Sequence, residues 1–314
     1  MIDDFNAQEV RLAKLNATDT ASVKGAYYGI VDDHVIVRDG ATLEALSRTG
    51  TLTKLGRLAV VPNQSGPDTV VLNPNLSQWL YATTDNNWTA EIHLGSATSD
   101  KIIATIPSPD GNAFYRPFAW NASGIYMVRQ PVGLGGAGPF LEYHFALATF
   151  DMKSGHVADV APSCIAYNVL DDGTMICGQA STANIEIRSP SGKVNVIKVA
   201  TGAGTDAAFI DLVVSSDNKR LLVARNGSKD PVINYQMAVA DLTSSSAKAF
   251  GSLDYTPGAW LPDGRVVAAH ACAYSGWGGG PCDTRLDGTY LFSANGTSHS
   301  LFFKLTHGSV VGYI

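Results

Sequence analysis

The sequence carries few of the marks by which a chemistry is recognised. It has no Gly-x-Ser-x-Gly elbow, no His-Glu-x-x-His, no Cys-x-x-Cys, no phosphate-binding glycine loop and no EF-hand loop. The enzymes and ion sensors built on those motifs are therefore excluded. Charge is also scarce: Asp, Glu, Lys and Arg make up 16% of the chain, the net charge is −6, and Lys and Arg form no cluster. Nucleic acid is thereby excluded as a partner, because phosphate neutralisation needs a basic patch. No apolar run reaches the roughly 18 residues of a membrane-spanning helix, so membrane insertion is not expected. The N-terminus lacks the basic-then-apolar pattern of a signal segment.

What is abundant is β-sheet patterning, and it repeats. An apolar strand, a tight polar turn and a second apolar strand return about every 46 residues. The copies run from Val71 through Asn75 to Tyr81, from Ala119 through Ser123 to Val128, and from Val169 through Asp172 to Ile176. Two more run from Val213 through Asp217 to Val223 and from Trp260 through Asp263 to Val267. The turn anchors Asn75, Ser123, Asp172, Asp217 and Asp263 lie 48, 49, 45 and 46 residues apart. Such a period, with four short strands (A to D) in each, is the pattern of a β-propeller. A second hairpin follows in each period, as in Ala146–Phe150 with Val157–Val160 and Ile185–Ile187 with Val194–Ile197. Gly and Asn at these turns tolerate the required backbone.

Six such outer hairpins give an all-β, six-bladed propeller over residues 25–314, with seven blades as the alternative. Residues 1–24 are read as an N-terminal extension. Ala26–Ile30 is taken as strand B of blade 1, which leaves that blade without strand A. Ser309–Ile314 is expected to fill the gap, so that the C-terminal strand closes the ring within blade 1 and leaves no open edge. Val10–Leu15 is the rival for that place.

The stretch Trp260-Leu261-Pro262-Asp263-Gly264-Arg265-Val266-Val267-Ala268 resembles the repeat of TolB-like propellers, with weaker copies at Trp120–Tyr126 and Leu170–Thr174. The resemblance implies the propeller fold and a habit of binding proteins or peptides. It implies no catalytic residue.

Four cysteines are present. Cys272 and Cys282 bracket one glycine-rich loop, and Cys164 and Cys177 lie on neighbouring strands of one hairpin. Two local pairs suit two disulfides and an oxidising, periplasmic or extracellular, compartment. Asn-x-Ser/Thr triplets occur at Asn16, Asn63, Asn75, Asn87, Asn121, Asn226 and Asn295. They permit glycosylation in a secretory host.

The long connections carry the functional expectation. The B–C loops Thr83–Trp88, Gln130–His144, Asn226–Tyr235 and Ala271–Asp287, and the D–A links Gly50–Asp68 and Thr201–Ala207, emerge by topology on one face. Trp88, Tyr143, Tyr235, Tyr274, Trp277 and Arg285 are the candidate ligand-binding residues, as aromatic and Arg side chains in a polar rim suit recognition. Trp277, within Ser275–Pro281, is either a presented anchor or a plug over the channel.

These features point to a non-enzymatic, extracytoplasmic recognition domain for a protein, peptide or glycan, with part of a longer chain as one expectation. No cofactor is expected on this reading. The alternative is a lactonase- or glycosidase-like hydrolase with a cation, calcium, in the central channel, drawing oxygens from Asn168, Asp206 and Asp211 with Glu142 nearby. A structural or oligomerisation propeller is the third reading.

Overall fold

The structure, a computed structural model, describes residues 2–4, 8–14, 19–59, 69–132, 145–178, 184–199, 209–226, 235–253, 255–270, 283–304, 308–310 and 312. They form twenty-seven strands: β1 (Ile2–Asp4), β2 (Glu9–Ala13), β3 (Asp19–Lys24), β4 (Ala26–Val31), β5 (His34–Asp39), β6 (Thr42–Ser47), β7 (Leu52–Arg57), β8 (Val70–Leu72), β9 (Gln78–Thr84), β10 (Ala90–Ser96), β11 (Asp100–Ile106), β12 (Ala113–Asn121), β13 (Gly124–Pro131) and β14 (Phe145–Asp151). Then come β15 (His156–Val169), β16 (Met175–Gly178), β17 (Asn184–Arg188), β18 (Val194–Val199), β19 (Phe209–Val214), β20 (Arg220–Asn226), β21 (Tyr235–Asp241), β22 (Ser246–Leu253), β23 (Thr256–Trp260), β24 (Val266–His270), β25 (Gly288–Phe292), β26 (His299–Phe303) and β27 (Gly308–Val310). Among the described residues the sole helix is one 3-10 turn, Thr284–Leu286. None is therefore long and apolar enough to cross a membrane.

The chain forms two compact units. One comprises residues 23–136 and 142–175 with residue 314. In it the strands pair in the orders β4-β5-β6-β7, β8-β9-β10-β11 and β12-β13-β14-β15. The faces pack in sequence. Ile36, Leu43 and Ala45 meet Val70, Leu72, Trp79 and Tyr81 in one buried cluster. Leu80, Ala90 and Ile92 meet Tyr115, Met127, Ala148 and Phe150 in the next. Full burial of each large apolar side chain contributes about 1.5–3 kcal/mol, so these stacked faces carry the fold.

The other unit comprises residues 1–22, 137–141 and 176–313. Its strands run β16-β17-β18-β22-β21-β20-β19, β23-β24-β25-β26 and β27-β1-β2-β3. Leu222, Met237 and Phe250 pack on Tyr255, Trp260, Tyr290 and Phe292.

The A–B turns explain the repeat. Asn75, Asp172, Asp217 and Asp263 each accept a bond from the backbone N–H two residues on, at 3.1, 2.8, 3.2 and 3.1 Å. The next residue takes positive φ: Leu76 at 59°, Gly173 at 82°, Asn218 at 54° and Gly264 at 84°. Gly is the natural occupant of that conformation, yet the turn is kept where the sequence offers Leu or Asn. In the second copy the anchor is Asn121 rather than Ser123. Asn121 accepts from Ser123 N at 3.0 Å, and its Nδ2 donates to the carbonyls of Val169 and Leu170.

Two expectations about closure are corrected. Ala26–Val31 is the first strand of its sheet, not the second, because Leu52–Arg57 supplies the fourth. With four strands already paired there, the C-terminal strand is not needed in that sheet. It pairs instead with the N-terminal strand β1, with Ile2 opposite Val310 and Asp4 opposite Gly308. Residues 2–4, 9–13 and 19–24 are accordingly strands of that sheet.

Candidate functional site

The best-defined element among the expected loops is the connection from β9 to β10. Asp85 organises it. Its Oδ1 accepts from Asn87 N at 2.8 Å and Thr89 N at 2.9 Å. Its backbone closes the turn through Trp88 N to Asp85 O at 3.1 Å and Asp85 N to Thr89 O at 3.2 Å. Within this turn Trp88 sits at φ 62°. For a bulky side chain that conformation costs about 1–2 kcal/mol. The indole stacks on Phe114 at 5.9 Å between ring centroids and 19° between planes, and remains half-exposed. Phe114 lies in β12 directly opposite Gln130 of β13. The Oε1 of Gln130 is buried with no hydrogen-bond partner among the described residues. Behind this pair, Tyr115 donates to Asp159 at 2.9 Å. Burial, and then that bond, push its phenol up to about 12.

A second feature closes the base of the β24–β25 connection. His270 is 4% exposed, and its Nδ1 meets Asp287 Oδ1 at 3.1 Å. Tyr255 packs edge-on to the imidazole at 5.2 Å. Next to it, Arg285 extends into solvent, yet its Nε, Nη2 and backbone N all donate to Asp283 at 2.8, 2.7 and 3.0 Å. The guanidinium bonds hold the Asp283 carboxyl down at about 2. Arg285 is thus presented with its charge already balanced.

A third network was not anticipated from the sequence. Thr83 Oγ1 meets His93 Nε2 at 3.1 Å, and His93 Nδ1 meets Asp100 Oδ1 at 3.0 Å. Tyr81 donates to Asp100 and stacks on the imidazole at 4.5 Å. Ala59 N donates to Tyr81 Oη at 2.8 Å and to Asp100 at 3.2 Å. Thr83 and His93 are 8% and 7% exposed. The hydroxyl–imidazole–carboxylate order is that of a proton relay, but its buried hydroxyl and its tie to the end of β7 fit a strut between sheets. A His inside the apolar run Ile92-His93-Leu94 is the one signal that sequence reading had for it.

The remaining candidates divide as follows. Tyr143, Tyr274, Trp277, Asp206, Glu142, Cys272 and Cys282 lie outside the described residues. Tyr235 opens β21 opposite Asn226. Asn168 and Asp211 occupy different heights on their own strands. Asn168 lies two residues before a turn closed by Leu170 N to Thr174 O, and Asp211 four residues before one closed by Ser215 N to Arg220 O. Among the described residues no group of three or more His, Cys, Asp or Glu gathers as a metal site. Cys164 and Cys177 are both disulfide-bonded, and no described cysteine is free.

No family model matches the chain, and no curated protein sequence does either. Solved structures do match. Acylaminoacyl peptidase from Pyrococcus horikoshii is 11% identical with a TM-score of 0.58, over 95% of this chain and 48% of that one. The β-propeller domain of Cps50 (Swd1) from Myceliophteria thermophila is 9% identical with a TM-score of 0.51, over 93% and 88%. TolB from Acinetobacter baumannii is 15% identical with a TM-score of 0.45, over 89% and 66%. The likeness is one of fold: this chain resembles β-propeller structures.

Proposed function

We propose that this protein is a non-enzymatic recognition propeller that binds a protein, peptide or glycan through the connections between its second and third strands. The observation that carries the reading is Trp88. A large aromatic side chain is held half-exposed in a left-handed backbone conformation by a carboxylate-capped turn. Strain of that kind persists where the surroundings over-determine it, and such places are often binding sites. A rigid turn also reduces the ordering entropy that opposes binding.

The same reading takes the blades as seven quartets, the alternative to six. β15 runs for 14 residues. We infer that its first half completes the quartet of β12–β14 and its second half begins that of β16–β18. The last quartet, β27-β1-β2-β3, is built from both ends of the chain. Pairing C-terminal to N-terminal strands in this way would close a ring without a free inner edge. The disulfide-bonded state of Cys164 and of Cys177 favours a periplasmic or extracellular location.

The test is a parallel screen of the protein on peptide and glycan arrays and against a panel of lactones and glycosides with and without calcium. The account expects array binding that falls in Trp88→Asn, since Asn tolerates positive φ. Calcium-dependent turnover of a lactone or glycoside would overturn it in favour of the hydrolase.

A further inference from the structure

We propose that Trp88 and Phe114 form a stacking subsite for the ring face of a neutral sugar, so that the ligand class is an uncharged glycan. This rests on the recognition reading above and narrows it.

Three observations converge. First, the two rings are nearly parallel at 19°, and Trp88 keeps part of its surface open after stacking on Phe114. The electron-rich face of an indole attracts the weakly positive C–H face of a pyranose ring. Phe114 backs the indole, so the open part of Trp88 is held in place for a flat ligand. Second, the polar groups beside it are amides. Asn86 and Asn87 are exposed in the same turn. Sugar hydroxyls both donate and accept, so they match these amides. Third, the charge balance excludes an anionic ligand. Asp85, the one acidic group of the turn, is exposed and has Oδ1 committed to the backbone N–H groups of Asn87 and Thr89. None of Asn86, Asn87, Trp88, Phe114 and Gln130 carries charge. A phosphorylated or acidic ligand would find no cation in this set.

Saturation-transfer NMR tests this, with cellohexaose, xylohexaose, mannohexaose and chitohexaose as probes at millimolar concentration. Wild-type protein and Lys193→Ala, a surface change on the β17–β18 turn, are expected to give transfer to at least one hexasaccharide. Trp88→Asn and Asn87→Ala are each expected to weaken that binding by at least about tenfold at an unchanged melting temperature. Asn87→Ala keeps the test decisive should Trp88→Asn unfold the turn. Absence of transfer to all four probes, or equal binding by both variants, would overturn the proposal. Peptide-array binding that depends on Trp88 without sugar binding would also overturn it and leave the recognition reading standing. Loss of both would remove the recognition reading as well.

Discussion

The indole Nε1 of Trp260 donates to the backbone carbonyl of Val213, 47 residues earlier, at 3.2 Å. One period of the repeat thus separates donor and acceptor. Arg220 lies over the same indole at 4.6 Å from the ring centroid. Asn121 to Val169 and Leu170, and Asn195 to Leu242 and Ser244, make the same kind of bond, at separations of 47 to 49 residues. The aromatic of the repeated motif therefore acts as a clasp from one sheet to the next.

Replacing Trp260 by Phe should remove that donor, leave the Val213 carbonyl unpaired and weaken the Arg220 contact. The expected loss is about 2 kcal/mol, read as a lower urea midpoint at unchanged slope. An unchanged midpoint would mean that the clasp carries no stability.

Trp79, fully buried, is seated by two glycines. A Cβ on Gly95 would lie 2.0 Å from its Nε1, and a Cβ on Gly56 2.3 Å from its ring. Gly95→Ala should destabilise by about 1–3 kcal/mol or more, since the ring has no room to move. The smaller double variant Trp79→Phe/Gly95→Ala should recover part of that loss. Thermal melting of the set decides it.

Acid should weaken the turns. Hydrogen bonds from Ser215 to Asp217, from Thr243 to Asp241 and from Arg265 N to Asp263 lower those carboxyl pKa values. Asp283, bound by Arg285, sits at about 2. Each folded value lies below the unfolded one, so the stabilisation is present above about pH 4 and is lost as pH falls towards about 2. Denaturation midpoints measured between about pH 5 and about pH 2 should fall. Asn at 217, 241 and 263 together should flatten the dependence while keeping the turns, because an amide oxygen still caps them.

Alkali should act through Tyr115. Its phenol is pushed up to about 12 by burial and then by Asp159, so it stays neutral in the folded protein after the unfolded chain has ionised. Its contribution is present below about pH 10 and is lost as pH rises through about 12. Ultraviolet titration should show late phenolates from Tyr81, pushed up by burial and then by Asp100, and from Tyr115, with only the latter disappearing in Tyr115→Phe.

Much of the fold was legible because period and turn chemistry are local. The hairpins at β8–β9, β12–β13, β19–β20 and β23–β24 fall where the apolar–turn–apolar pattern puts them. Blade 1 was misread by one strand because Leu52–Arg57 faces solvent along most of its length, and an exposed edge strand has no apolar alternation to betray it. The excess of Asn-x-Ser/Thr triplets also has a local cause. Asn75 with Ser77, Asn121 with Ser123 and Asn295 with Thr297 each place the hydroxyl on the Asn Oδ1, at 2.6, 2.6 and 2.8 Å. Turn geometry selects the pair. Less of the site was legible. Trp88 was visible as a loop aromatic, but its partner Phe114 lies on a different sheet, and only tertiary structure joins them.

Hydrogen–deuterium exchange with and without a ligand found on the arrays tests the account most directly, because it reports which ends of the strands do the recognising. Protection is expected at residues 85–89, 112–114 and 130–132. Protection confined to the opposite turns, at 171–174, 216–219 and 262–265, would contradict it.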